Sequence, residues 1–340
     1  MYTIKIIFIP KRFLFLRNSF IKERLYFFMK ILFALLIIGL LIFAGCTQGP
    51  IETDPVAVDS NVDANFVIFV LPDTQNYSEH HPDIFLSQTN WIKENFDDYN
   101  AVLVIHEGDM VNHWNNEKEW QNASVAMQVL IDGNVPFLLI PGNHDHNNYF
   151  GSAEFYSKYF PISVFENMNW YKGNIGDNTS NYGEIRIGGR DFVFLGIDVC
   201  PDEDEIAWAN NIFSQNENKH LILVTHGYLN EKAERIAGVC KNTQYIWDDL
   251  IKNHKNLNLT LSGHMHGQNY RIDPNDYNKD VIQMLADYQT MENGGNGYLR
   301  ILTFVPSQDK IVVDTYSPYL DKQLDWNGSK FVLDYDFDLN

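Results

Sequence analysis

The chain has 340 residues, of which 45% are hydrophobic and 14% aromatic, so it is long enough for one large domain or two small ones with a sizeable core. Its 44 acidic and 25 basic residues give a net charge of −19. Seven of the basic residues and one acidic residue lie within residues 1–45, which leaves −25 for the rest. A body this acidic repels phosphate backbones and argues against duplex nucleic acid as a partner or substrate.

An apolar segment near the N-terminus predicts export. Residues 31–44 form an uninterrupted apolar run of 14 residues, which is shorter than the ~20 residues of a membrane-spanning helix and typical of a signal-peptide core. Phe43-Ala44-Gly45-Cys46 resembles a bacterial lipobox, in which Cys46 is lipidated and becomes the first mature residue. We therefore expect residues 1–45 to be a leader, with residues 1–28 an extension upstream of a start at Met29. An uncleaved membrane anchor is the alternative, and it also implies export.

The rest of the chain divides by composition. Residues 46–64 are polar, acidic and aperiodic, as is typical of a flexible tether. Residues 65–320 show the periodic pattern of a folded domain, and residues 321–340, with five aspartates, predict a loosely held acidic tail. Cys200 and Cys240 are the two cysteines of the body, and a disulfide or two buried thiols are both open for them in an exported protein.

The predicted elements alternate in the first part of the domain. Short apolar runs predict strands at residues 66–71, 101–105, 137–140, 182–187, 192–197, 221–225, 257–262, 281–285, 298–304 and 311–315. Helical spacing of apolar residues predicts helices at 84–95, 117–130, 205–214 and 243–254. This order predicts α/β packing with a largely parallel sheet, completed by antiparallel strands after residue 257.

Side chains with metal-binding chemistry follow five of the predicted strands. In chain order they are Asp73 and Gln75, Asp109, Asn143 with His144, His226, and His264 with His266. Because the carboxyl ends of parallel strands line one crevice, we expect these groups to converge. Carboxylates, amide oxygens and imidazoles together form a ligand set for Mn²⁺, Fe or Zn²⁺ rather than for a thiolate-bound structural zinc.

The order of these groups resembles the calcineurin-like metallophosphoesterase superfamily. The pattern of that family is D-x-H, G-D-x-x-[ND], G-N-H-[DE], a lone His after a strand, and G-H-x-H. The last four blocks match here as Gly108-Asp109-Met110-Val111-Asn112, Gly142-Asn143-His144-Asp145, His226 and Gly263-His264-Met265-His266. The resemblance covers residues 65–320 and implies an αββα sandwich, in which two packed mixed β-sheets are flanked by helices.

The resemblance also implies a role for each residue. The implied ligands of a first metal ion are Asp73, Asp109 and His266, and those of a second are the bridging Asp109, Asn143, His226 and His264. Two divalent ions of Mn, Fe or Zn then clamp the phosphoryl group and acidify a water molecule. His144, oriented by Asp145, stabilises developing charge or protonates the leaving group.

One block departs from the family pattern, because Gln75 stands where the family usually has histidine. A neutral amide oxygen binds borderline metals more weakly than imidazole does. We expect Gln75 to be a ligand of the first ion, and a role in hydrogen bonding around the ligands is the alternative. This D-T-Q variant, together with residues 285–289 and 294–300, resembles a poorly characterised bacterial branch of the superfamily.

The sequence therefore predicts metal-dependent hydrolysis of phosphate esters outside the cytoplasmic membrane, to which the N-terminal lipid attaches the chain. No arginine lies within a motif block as a clamp for a terminal phosphate, which slightly favours phosphodiesters over phosphomonoesters. The alternative is a surface-anchored binding protein with a degenerate first metal site at Gln75. The pair His144 and Asp145 distinguishes the two, because a binding protein does not need it.

Overall fold

The computed structural model describes residues 56–58, 63–235, 240 and 243–339. The expected leader at 1–45, the expected lipidation site at Cys46 and most of the expected tether at 46–64 lie outside the described residues. Within these ranges, no helix is both long enough and apolar enough to cross a membrane.

The described residues form fifteen strands and seven α-helices. The strands are β1 (Val56–Val58), β2 (Phe66–Leu71), β3 (Ala101–His106), β4 (Phe137–Leu139), β5 (Tyr171–Ile175), β6 (Ser180–Ile187), β7 (Arg190–Ile197), β8 (His220–Thr225), β9 (Leu257–Ser262), β10 (Gly267–Pro274), β11 (Asp280–Asp287), β12 (Leu299–Val305), β13 (Lys310–Ser317), β14 (Lys322–Gln323) and β15 (Phe331–Asp334). The α-helices are α1 (Gln75–His80), α2 (Pro82–Asn95), α3 (Glu117–Asp132), α4 (Glu154–Tyr159), α5 (Ile162–Phe165), α6 (Glu203–Gln215) and α7 (Gln244–Asp249).

These strands form two mixed sheets. One has the order β1-β6-β7-β8-β9-β11-β10 with β5 on β6, and the other has the order β14-β13-β12-β2-β3-β4 with β15 on β13. Strands β7, β8, β9 and β11 run parallel, as do β2, β3 and β4. Strands β2, β3, β8 and β9 are buried along their whole length, as expected for strands covered on both faces. The prediction of two mixed β-sheets with flanking helices is confirmed.

The core has layers because successive side chains of a strand point to opposite faces. Ile68 of β2 and Phe194 of β7 belong to the apolar cluster that joins the two sheets. The next residue of β2, Phe69, packs instead in a cluster with Trp120 of α3. Leu195 of β7 lies likewise in the cluster that includes α6. Helices therefore cover the outer face of each sheet, and the parallel strand ends stay open for a site.

The prediction of a loosely held tail at residues 321–340 is wrong. Strand β15 pairs with β13, and Tyr335 and Phe337, which are 2% and 3% exposed, lie in the core between the sheets. From residue 332 to 338, exposed and buried residues alternate. Asp334, Asp336 and Asp338 occupy exposed positions of this alternating pattern. Their charges made the segment resemble an acidic tail, so the strand was not predicted.

Cys200 and Cys240 form a disulfide, with their Cα atoms 5.4 Å apart. Of the two alternatives that the sequence left open, the structure therefore has the bonded one. The predicted helix at 243–254 is shorter than expected, since α7 ends at Asp249 and a 3₁₀ turn, Ile251–Asn253, follows it.

Candidate metal centre

Three of the predicted ligands meet at the carboxyl ends of parallel strands. Asp109 follows β3, His226 follows β8 and His264 follows β9, and one ligand atom of each lies within 4.8 Å of the others. Asp109 and His226 are buried. The backbone of Asp109 has a φ of +52° and that of His264 a φ of +69°, and these left-handed conformations turn the chain sharply after each strand.

Asn143 joins this group through its amide oxygen, which lies 3.1 Å from Nε2 of His226. The same Nε2 lies 3.3 Å from a carboxylate oxygen of Asp109. The other ring nitrogen of His226, Nδ1, lies 2.8 Å from the carbonyl oxygen of Glu107 and donates to it. That bond leaves Nε2 as the nitrogen for a metal. The four predicted ligands of the second ion therefore lie together.

The buried carboxyl groups at the site differ in the direction of their pKa shifts. Burial alone raises the pKa of Asp109, but the charge and hydrogen bond of His226 and the nearby His144 outweigh it and lower the pKa. Burial raises the pKa of Asp73 well above its usual range, and the nearby Asp287 and Asp109 raise it further. Several buried carboxyls close together fit a site for cations, which would offset both their desolvation and their mutual repulsion.

Gln75 is connected to Asp73 by hydrogen bonds through a third residue, Gln289. Its Nε2 donates to Oε1 of Gln289, whose own Nε2 donates to Oδ2 of Asp73 over 3.3 Å. The Oε1 atom of Gln75 is buried and has no hydrogen-bond partner among the described residues. An unsatisfied buried oxygen costs roughly 1–3 kcal/mol, and a cation beside it would remove that cost. This oxygen and the buried Asp73 therefore fit the first metal ion that the resemblance implied.

His266, a predicted ligand of the first ion, is not among the residues whose ligand atoms meet within 4.8 Å. Its side chain is exposed and lines a cleft together with Asp287. The prediction grouped it with Asp73 and Asp109 on the strength of the G-H-x-H block. In the fold, His266 is followed directly by β10, which leads the chain away along the sheet edge.

Asp287 and Gln289 are site residues that the sequence analysis did not select. Gln289 donates to Asp287 over 3.0 Å with its side chain and 2.8 Å with its backbone N–H. Burial raises the pKa of Asp287 to about 7. The sequence offered a signal for Asp287, because this residue ends the strand β11. Strand β11 runs parallel to β9, so both strands end at the same edge of the sheet.

The ring of His144 is oriented by a backbone carbonyl, not by Asp145 as predicted. Its Nδ1 lies 2.8 Å from the carbonyl oxygen of Asn112, and its ring meets Tyr149 edge-on at 5.1 Å between centroids. With Nδ1–H donating to Asn112, Nε2 is the nitrogen that takes up or releases a proton.

Asp145 instead binds backbone. Its carboxylate accepts from the N–H groups of Gly142 over 2.8 Å and of Met110 and Val111 over 3.1 Å each. It therefore joins the loop that carries Asp109 to the loop that carries Asn143. Burial raises its pKa to about 7, although the three N–H donors oppose the shift.

Two glycines permit the close packing of these loops. A Cβ atom at Gly142 would lie 2.2 Å from Oδ1 of Asp109, and one at Gly263 would lie 2.3 Å from Oδ1 of Asp73. Any side chain at either position would displace a carboxylate of the site.

A second histidine of the same loop forms a buried pair beside the centre. Nε2 of His146 lies 2.8 Å from Asp198, and its Nδ1 lies 2.8 Å from the carbonyl oxygen of Gly151. Burial lowers the pKa of His146, but Asp198 outweighs that effect and raises it to about 9. Asp198 directly follows β7, so it was a further polar residue at a strand end that the sequence analysis left out.

The fold and the cluster at its strand ends define an αββα protein with a candidate metal centre. The calcineurin-like phosphoesterase family matches residues 66–268, which is more than half of the chain. The chain therefore belongs to the calcineurin-like phosphoesterase family, as its motifs predicted.

The chain is also similar to one curated protein and to several solved structures. The uncharacterized protein YvnB of Bacillus subtilis is 35% identical over 256 residues, which make up 74% of this chain but 20% of that protein. The chain thus spans about a fifth of the length of this curated relative. The structure of a dimetal phosphatase from Danio rerio matches this chain with a TM-score of 0.56 at 10% identity. The match covers 80% of this chain and 99% of the Danio rerio chain.

Two further solved structures share the fold at 12% identity and a TM-score of 0.52. Purple acid phosphatase PPD1 of yellow lupin covers 81% of this chain and 55% of its own. GAP50, described as the anchor in the inner membrane complex of Plasmodium, covers 81% of this chain and 89% of its own. At these identities the likeness shows the fold alone.

Proposed function

We propose that the chain is a metal-dependent hydrolase of phosphate esters. The observation that carries this proposal is the convergence of ligand atoms from Asp109, His226 and His264 within 4.8 Å. Asn143 beside them, and the buried unpartnered oxygen of Gln75, provide for two cations. When bound, two divalent ions of Mn, Fe or Zn would neutralise phosphoryl charge and lower the pKa of water.

His144 is the residue of this chain that moves a proton. The Asn112 carbonyl fixes its ring through Nδ1, and its Nε2 is then placed to give a proton to the leaving oxygen of the ester. The backbone N–H of His144 donates to Asp109 over 2.8 Å, so the proton donor keeps its position relative to the ligand cluster.

The positions of three arginines support phosphodiesters as the preferred substrates. Arg300 is 2% exposed, and Arg235 and Arg271 both pair with Asp273. None of the three lines the cleft at His266. A terminal phosphate carries more charge than a diester and gains more from such cations, so their absence from the cleft disfavours monoesters.

The second candidate is a surface-anchored binding protein with a degenerate first metal site. The observation in its favour is the position of His266, which lies outside the ligand cluster. GAP50 of Plasmodium shows that the fold occurs in a protein described as an anchor. The fixed ring of His144 favours catalysis instead, since binding alone does not need a positioned proton donor.

The decisive assay measures turnover of an aryl phosphodiester and an aryl phosphomonoester by the purified full chain, while Mn²⁺, Fe²⁺ or Zn²⁺ is titrated in. We expect metal-dependent hydrolysis, faster for the diester. Stoichiometric metal binding without turnover of either ester would support the binding protein and overturn the hydrolase.

We further propose that the chain is exported and attached to the membrane by a lipid on Cys46. The apolar run at 31–44 and the lipobox resemblance support this, as does the disulfide between Cys200 and Cys240, since disulfides persist outside reducing compartments. Mass spectrometry of the membrane fraction should find a lipid-modified N-terminal Cys46. Peptides from residues 1–45 in the mature protein would contradict it.

A further inference from the structure

A cleft of about 410 Å³ opens beside the candidate metal centre, and one wall of it is an exposed tryptophan. His266, Asp287 and Trp326 all contribute to the lining of this cleft. Trp326 leaves 57% of its surface exposed. Aromatic side chains in a ligand cleft supply flat contact surfaces at a low cost in side-chain entropy. The position of Trp326 thus calls for a flat group on the ligand.

The turn that carries Trp326 is rigidly held. Ser329, which is 1% exposed, accepts from the backbone N–H of Trp326 over 3.0 Å and donates to the carbonyl of Leu324 over 2.8 Å. Thr315 of β13 donates to the carbonyl of Ser329 over 3.0 Å. Gly328 has a φ of +83°, a conformation that favours glycine. The backbone from which the Trp326 side chain leaves the turn is thus held in place by hydrogen bonds, which favours a preorganised contact.

The opposite strand also holds this turn. Gln268 of β10 donates with its Nε2 to the carbonyl of Asn327 over 3.1 Å, and its Oε1 accepts from Tyr288. Tyr288 and Gln268 line the same cleft as Trp326. The wall is thus fastened to the sheet edge that carries Asp287.

The remaining lining of the cleft combines polar side chains with the apolar Met291. It includes Glu231, Thr290 and Asn327, and no lysine or arginine of the described residues belongs to it. Such groups can hydrogen-bond the edge of a ring, but they do not attract a polyphosphate backbone. The lining therefore fits a small ester with one ring better than a nucleic acid strand.

We propose that Trp326 is a specificity-determining residue that stacks on a flat aromatic ring of the phosphate ester, either a nucleobase or a simple aryl group. The inference rests on the proposed function, because the metal centre has to place the ester phosphorus while the ring lies against Trp326. Trp326 lies beyond residues 66–268, which match the family. The preference is thus a property of the C-terminal segment of this chain.

The test compares three methyl phosphodiesters on the metal-loaded full chain: those of adenosine 5′-phosphate, of 4-nitrophenyl phosphate and of glycerol 3-phosphate. We expect the KM of a ring-bearing ester to be about tenfold below that of the glycerol ester, since base stacking on an aromatic side chain has about this effect or more. In Trp326→Ala the difference disappears while kcat for the ring-bearing esters is kept, and Trp326→Phe retains most of it. Tyr277→Ala is the control, because Tyr277 is 56% exposed but does not line the cleft.

Equilibrium binding of the three corresponding monoesters, measured by calorimetry, separates this inference from the proposed function. One outcome is that the ring-bearing esters bind more tightly, that Trp326→Ala abolishes this difference, and that no ester is turned over. This outcome would overturn the proposed hydrolase function and support the stacking site. Turnover with equal KM and equal affinity for all three esters, or an equal loss for all three in Trp326→Ala, would overturn the stacking site alone. A purine preference over 4-nitrophenyl identifies the nucleobase as the ring.

Discussion

The backbone N–H of His144 donates to Oδ1 of Asp109 over 2.8 Å, so the proposed proton donor is bonded through its main chain to the proposed bridging ligand. The ring of His144 is held separately, by the carbonyl of Asn112. The main chain of His144 is therefore held by Asp109, and its ring is held by Asn112 of the same loop. Substitutions at Asp109 and at His144 should for this reason have separable effects.

Asp109→Asn should lower the metal content and reduce activity more than any other single ligand change. The substitution removes a negative charge from the carboxylate proposed to bridge both ions. Elemental analysis after reconstitution with Mn²⁺ or Zn²⁺ measures the metal content. Asp97→Asn, at an exposed position outside the cluster, is the control and should keep the metal of the parent protein.

His144→Asn should leave the metal content intact and lower kcat about 10²–10⁴-fold, the range for one acid–base group. Both quantities are measured on the same preparation. Loss of metal in this variant would show that His144 is a ligand and that its assigned role is wrong.

The Gln75 site should load after the His-rich site in a calorimetric metal titration. Its ligands are oxygen atoms of Gln75 and carboxylates, whereas the other site has the imidazoles of His226 and His264, which bind borderline metals better. Gln75→His should tighten the weaker step and bring the two together. One step for two equivalent ions, unchanged in the variant, would exclude Gln75 as a ligand.

Asp145→Ala should destabilise the protein by about 3 kcal/mol even without metal, because three buried N–H groups lose their acceptor and each such bond contributes roughly 0.5–1.5 kcal/mol. Urea unfolding in the presence of a chelator measures the change. Asp145→Asn should cost less, since its amide oxygen still accepts. If a variant at this position had a lower kcat but unchanged stability, Asp145 would act with His144 in catalysis, as the sequence predicted.

Stability should fall between about pH 6.5 and pH 9 because of His146. The pKa of His146 in the folded protein is raised to about 9 from an ordinary 6.5, so its contribution is full below 6.5 and is lost as the pH rises through 9. Asp198→Asn should flatten this slope in urea unfolding. Asp191→Asn, which breaks a surface pair with Arg186, should leave it unchanged.

Local patterns predicted most of the parallel strands and the ligands that follow them. Residues 66–71 and 257–262 are strands with the bounds that their apolar runs indicated. Contacts between distant segments were not predictable in this way. The bond from Gln289 to Asp73 joins residues 216 apart in sequence, and no local pattern records it. Strand β10 was missed because Asn269, Arg271 and Asp273 alternate with Tyr270 and Ile272, so no continuous apolar run marks it.

The sheet order has a consequence for how the chain can be divided. The family match ends at residue 268, yet β11 lies between β9 and β10, and β12 pairs with β2. A fragment that stops at the match would leave β9 and β2 as long, apolar strands with open edges. Such edges recruit other chains and aggregate. The catalytic motifs and the last seventy residues therefore form one folding unit, and a recombinant fragment for study has to run through β15.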